Sequence, residues 1–70
     1  MPASPDINAG AWYLRGRYDR GWDVCEPITG EVHAEIAVDP EGHEITANGE
    51  RSAALAGAEA VRRYLRAIDS

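Results

Sequence analysis

The chain has 70 residues, 44% hydrophobic and 27% charged, with seven arginines, no lysine, twelve acids and a net charge of −5. That is one small domain at most, too apolar for wholesale disorder and too acidic to seek nucleic acid or an anionic membrane. Cys25 is the single cysteine, so no internal disulfide forms; no apolar run nears the roughly 20 residues a bilayer needs, residues 1–10 do not read as a secretory leader, and the expected setting is the reducing cytoplasm.

Residues 1–10 carry two prolines, a glycine and several small polar residues, the composition of a flexible arm. One domain is expected over 11–70. From 11 to 18 the pattern alternates: Trp12, Leu14 and Tyr18 fall on one face, Tyr13, Arg15 and Arg17 on the other, as in a half-buried strand. Gly16 on the inner face leaves room for a neighbouring ring or backbone. Asp19-Arg20-Gly21 reads as a turn. Residues 22–26 read as a short strand with Trp22 and Val24 inward, and Pro27-Ile28-Thr29-Gly30 as a loop.

Residues 31–38 give the clearest strand, with Val32, Ala34, Ile36 and Val38 alternating against Glu31, His33, Glu35 and Ala37. Asp39-Pro40-Glu41-Gly42 has tight-turn chemistry. It is expected to return the chain as a strand over 43–47, with Val38 facing His43, Ile36 facing Ile45 and Ala34 facing Ala47. From Ser52 to Ile68 the period becomes helical: Ala54, Leu55, Ala58, Val61, Leu65 and Ile68 make one stripe, opposite Glu59, Arg62, Arg63 and Arg66. Gly57 within it implies close approach to the sheet. The expected fold is α+β: an antiparallel sheet of three to four strands with one C-terminal helix packed on one face.

Little here suggests catalysis. Cys25 and His33 lack a third orienting group and a cleft. Cys25, His33 and His43 show no metal-ligand spacing. No metal and no cofactor are expected, and the chain reads as a non-enzyme. Trp12, Trp22, Tyr13 and Tyr18, near Arg15 and Arg17, could be written as a base-stacking platform, but the tryptophans read as core and the overall charge opposes direct nucleic-acid binding.

Charge layout is the more informative feature. Asp23, Glu26, Glu31, Glu35, Asp39, Glu41, Glu44 and Glu50 follow one another with no Arg or Lys between them, while all seven arginines lie outside that stretch. Such a field attracts basic surfaces. Glu31, Glu35, Glu41 and Glu44, with Asp23, Glu26 and Asp39 at the rim, are the candidate partner-binding residues: carboxylates on a rigid hairpin can meet Arg and Lys as phosphates do. The expected partner is a protein with a basic surface, engaged by a monomer or a homodimer, with no membrane involved.

The small size, the acidity, the absence of lysine and the hairpin with a terminal helix resemble the anti-CRISPR proteins of phages and mobile elements. That resemblance implies a function: binding a CRISPR effector complex, most concretely a type I surveillance complex, through an acidic face that keeps target DNA out. The helix with Ala54-Leu55, Ala58 and Tyr64-Leu65, following Glu41-Gly42 and Ile45-Thr46, also resembles HicB-type antitoxin domains. That second likeness implies a regulatory module that dimerises or caps a toxin, using Tyr13, Arg62, Arg63 and Arg66.

Overall fold

The computed structural model describes residues 4–17, 20–39, 41 and 44–69. Among these, five strands precede one helix: β1 (Ile7–Ala9), β2 (Trp12–Gly16), β3 (Gly21–Cys25), β4 (Val32–Val38), β5 (Ile45–Gly49) and α1 (Arg51–Asp69). The strands form one open antiparallel meander in sequence order, with β1 and β5 at its two edges. The class is α+β, as the alternation followed by a helical period implies, with one strand more than expected.

The added strand is β1. Ile7, Asn8 and Ala9 pair with Leu14, Tyr13 and Trp12, inside the segment expected to be a flexible arm. Side chains and backbone fasten it. Trp22 Nε1 donates to the Pro5 carbonyl at 2.8 Å, Ser4 N donates to the Arg17 carbonyl at 3.0 Å, and the Asp6 carboxylate accepts from Gly16 N at 2.8 Å and from the Tyr13 hydroxyl. Gly16 permits this approach, because a Cβ there would lie 1.7 Å from the Ser4 carbonyl oxygen.

The inner face follows the alternation. Leu14, Trp22, Val24, Ala34, Ile36 and Val38 are buried and meet Ala53, Ala60 and Val61 of α1. The Trp22 and Tyr64 rings pack edge to face with centroids 5.8 Å apart, within the favourable range for such pairs. Tyr18 and His43 lie outside the described residues, as do Asp19, Pro40 and Gly42 of the two expected turns.

Two details differ from expectation. The β4–β5 register places Ile36 opposite Ala47, Ala34 opposite Gly49 and Val38 opposite Ile45, two residues from the expected pairing. A two-residue slip keeps every side chain on its face, so alternation cannot choose between these registers. Gly49 favours the observed one: its φ is +125°, and a Cβ would stand 2.6 Å from the Ala34 Cα. The α1 stripe is also rotated. Ala53, Gly57, Ala60 and Val61 face the sheet, whereas Leu55 is 62% exposed and Ile68 is exposed at the helix end. Small residues let the helix seat closely; a Cβ at Gly57 would be 2.6 Å from Val24 Cγ2 and 3.0 Å from Ile36 Cδ1.

Candidate partner-binding surface

The sheet face opposite α1 carries the polar half of each strand. Strand pairing lays Arg15, Asp23, Glu35 and Asn48 in one row across β2 to β5. Arg17 Nη1 lies 3.1 Å from Asp23 Oδ1 and 3.8 Å from Glu35 Oε1, and Arg15 Nη2 lies 3.7 Å from Asp23 Oδ2. The acidic stretch is unbroken in sequence, but the sheet folds two arginines against it. Asp23, only 17% exposed, is held between two guanidinium groups, while Glu35 remains 62% exposed.

The remaining candidates gather at the two ends of β4, a strand about 20 Å long at the usual rise per residue. At its start, Glu26 is committed to the loop after β3: its carboxylate accepts from Ile28 N, Thr29 N and Thr29 Oγ1 at 3.1, 2.8 and 2.8 Å. Those bonds hold its carboxyl below the ordinary range. Glu31 Oε1 lies 3.1 Å from His33 Nε2, and Glu50 Oε2 lies 2.8 Å from His33 Nδ1. Flanked on both nitrogens, and by Glu50 foremost, His33 has a raised pKa, and Glu50 a lowered one. The His33 ring also rests against Trp12 at 5.3 Å.

At the far end of β4, Asp39 accepts from Glu41 N at 3.1 Å, and Asp39 N donates to the Glu44 carbonyl at 2.9 Å, closing the hairpin. Glu41 and Glu44 are exposed. Residues 31–50 hold no Arg or Lys; Arg17, just past β2, reaches across to Glu35 of this half. A shallow, open depression of about 250 Å³ lies beside the row, lined by Val32, His33, Ala34, Glu35, Asn48 and Gly49.

Nucleophilic chemistry finds no footing at Cys25. The thiol is buried, its pKa is raised by desolvation, and Sγ donates to the Asp23 carbonyl at 3.6 Å. His33 meanwhile has both ring nitrogens taken by carboxylates. Tyr13, the aromatic expected to point outward, is bound by Asp6, which raises its pKa and lowers that of Asp6. Among the described residues no group of three potential ligands is placed to hold a metal ion, and no helix is long and apolar enough to cross a membrane. Arg62, Arg63 and Arg66 are exposed on α1, with Arg63 Nη1 3.5 Å from Glu59.

No family model, no curated protein and no solved structure matches the chain. What sequence reading missed here is the pairing of Asp23 with Arg15 and Arg17. The signal was present in the alternation, which places all three on the outer face, but it needs the β2–β3 register to be read.

Proposed function

We propose that the chain is a non-enzymatic inhibitor that binds a basic, nucleic-acid-binding surface of a larger complex. The observation that carries this reading is the charge asymmetry of the outer face: arginines on the β2 side are spent on Asp23, while the β4–β5 side presents Glu35, Glu41 and Glu44 to solvent with Glu31 and Asp39 beside them. Exposed carboxylates on a rigid sheet can pair with the Arg and Lys that would otherwise hold phosphates. Complementary fields of this kind also accelerate encounter. Asp23 and Glu26 contribute by fixing the arginines and the loop.

The most concrete target is the DNA-recognition region of a type I CRISPR surveillance complex, in keeping with the resemblance to small acidic anti-CRISPR proteins. The test is a DNA-binding assay on purified complexes, with and without the chain, at two salt concentrations. Loss of DNA binding at moderate salt, relieved at high salt as exposed charges are screened, supports the proposal. No inhibition in any subtype would remove this target and favour an antitoxin-like module working through the arginines of α1.

A further inference from the structure

Hydrogen bonds at the two ends of the β4–β5 ladder reveal which way the β5 backbone faces. Asp39 N bonds the Glu44 carbonyl and Glu50 N bonds the His33 carbonyl. Hydrogen-bonded pairs alternate along antiparallel strands, so Thr46 and Asn48 also turn their backbone groups toward β4. Ile45, Ala47 and Gly49 therefore turn their N–H and C=O groups away, to the free edge of the sheet. Thr46, Ala47, Asn48 and Gly49 are all exposed, so α1 leaves this edge open.

Proteins usually blunt such an edge with lysine, proline, a bulge or a covering loop. Ile45-Thr46-Ala47-Asn48-Gly49 contains no proline and no charge. Its outer-face neighbours are acidic: Glu44 and Glu50 bracket the strand, and Glu35 lies directly opposite Asn48 on β4. A second copy added antiparallel about Ala47 would set Glu44 against Glu50 of the other chain at both ends, between two molecules of net charge −5. Like charges directly opposite destabilise a strand pair. The edge suits a cationic strand instead.

We propose that β5 is a docking edge for an extended, arginine- or lysine-bearing polypeptide segment, which joins the sheet as a sixth strand. Main-chain bonds to Ile45, Ala47 and Gly49 supply the pairing, as in other strand additions. Glu35 and Glu44 select its basic side chains, while Glu50 is already held by His33 and Ser52. This rests on the reading that the partner is basic, and specifies how it is held.

The test uses the full isotopically labelled chain and an alternating arginine–valine heptapeptide, with two control peptides: one N-methylated on the ladder-facing residues, one with glutamate for arginine. The basic peptide should slow amide exchange at Ile45 and Ala47 at least tenfold, and neither control should do so. Ala47→Pro removes only an outward N–H, and should weaken peptide binding at least tenfold while keeping the native spectrum. Thr46→Lys, which adds a cation beside the edge without touching the backbone, should do the same should the proline variant unfold. Equal binding of the N-methylated peptide would overturn the edge proposal and leave the acidic-face reading standing. Failure of the basic peptide to bind would overturn both. Protection that grows with protein concentration and without peptide would mean that a second copy is the occupant, overturning the proposal.

Discussion

The two edges of this sheet are finished in opposite ways. β1 is three residues long, follows Pro5, and is pinned from outside the ladder by Trp22, Tyr13 and Gly16. β5 is five residues long, uncharged, and hydrogen-bonded through β4 among the described residues. The difference is one of length and anchoring: side-chain bonds hold a three-residue strand onto one edge of the sheet, whereas the longer strand at the other edge carries a longer row of outward backbone groups. Under the proposal above, its acidic surround selects a basic partner.

The largest expected effect comes from breaking the closed edge. Gly16→Ala would drive a Cβ into the Ser4 backbone, a contact no rotamer can relieve. It should cost about 3 kcal/mol, at the upper end of overpacking effects. Residues 4–9 should lose amide protection while the β3–β4 ladder keeps its own, read by urea denaturation and hydrogen exchange. Gly57→Ala perturbs the common centre instead. The clash with Val24 and Ile36 outweighs the gain in helix propensity, for a net loss of about 1 kcal/mol and no preference for either edge.

Acid and base should separate the edges more gently. Asp6, whose pKa is lowered foremost by its bond from Tyr13, stabilises β1 above the ordinary carboxylate pKa, and that contribution is lost as pH falls through its lowered value. The junction between β5 and α1 is tied by His33 and Glu50. His33 has a raised pKa, so its contribution is full below about pH 6.5 and disappears as pH rises through the raised value. Exchange rates of Ile7–Ala9 followed into acid, and of Glu50–Ser52 followed toward neutral and alkaline pH, check the two directions. The smallest effect is expected from Ala47→Pro, under about 1 kcal/mol in denaturant melts, because proline is tolerated where the N–H faces solvent on an edge strand.

Much of this fold is legible in the sequence where one face is apolar and the other is not. The buried residues of β2 and β4 follow from alternation, whereas in β3 Gly21 and Cys25 are buried beside Trp22 and Val24, with a register shift between Val24 and Cys25 that alternation does not contain. β1 does not, because Ile7 and Ala9 give only one alternation between prolines and a glycine, and its anchors lie up to 17 residues away. The helix stripe is rotated from the expected one because Leu55 weighs more in a hydrophobic pattern than Ala53 or Gly57, yet the close seat on Val24 and Ile36 admits only small residues. The candidate surface was half legible. Glu35, Glu41 and Glu44 stand exposed as expected, while the compensation of Asp23 belongs to a cross-strand register that linear charge spacing does not contain.

Under the proposed function, recognition lies with the open carboxylates of the β4–β5 half and not with acidity in general. The most direct measurement compares three proteins in the DNA-binding assay on a type I surveillance complex: the unaltered chain, the Glu35→Lys/Glu44→Lys double variant, and Asp23→Asn. The unaltered chain and Asp23→Asn should block DNA binding within a few-fold of each other, and the folded double variant should lose the effect. Full inhibition by the double variant would contradict that reading.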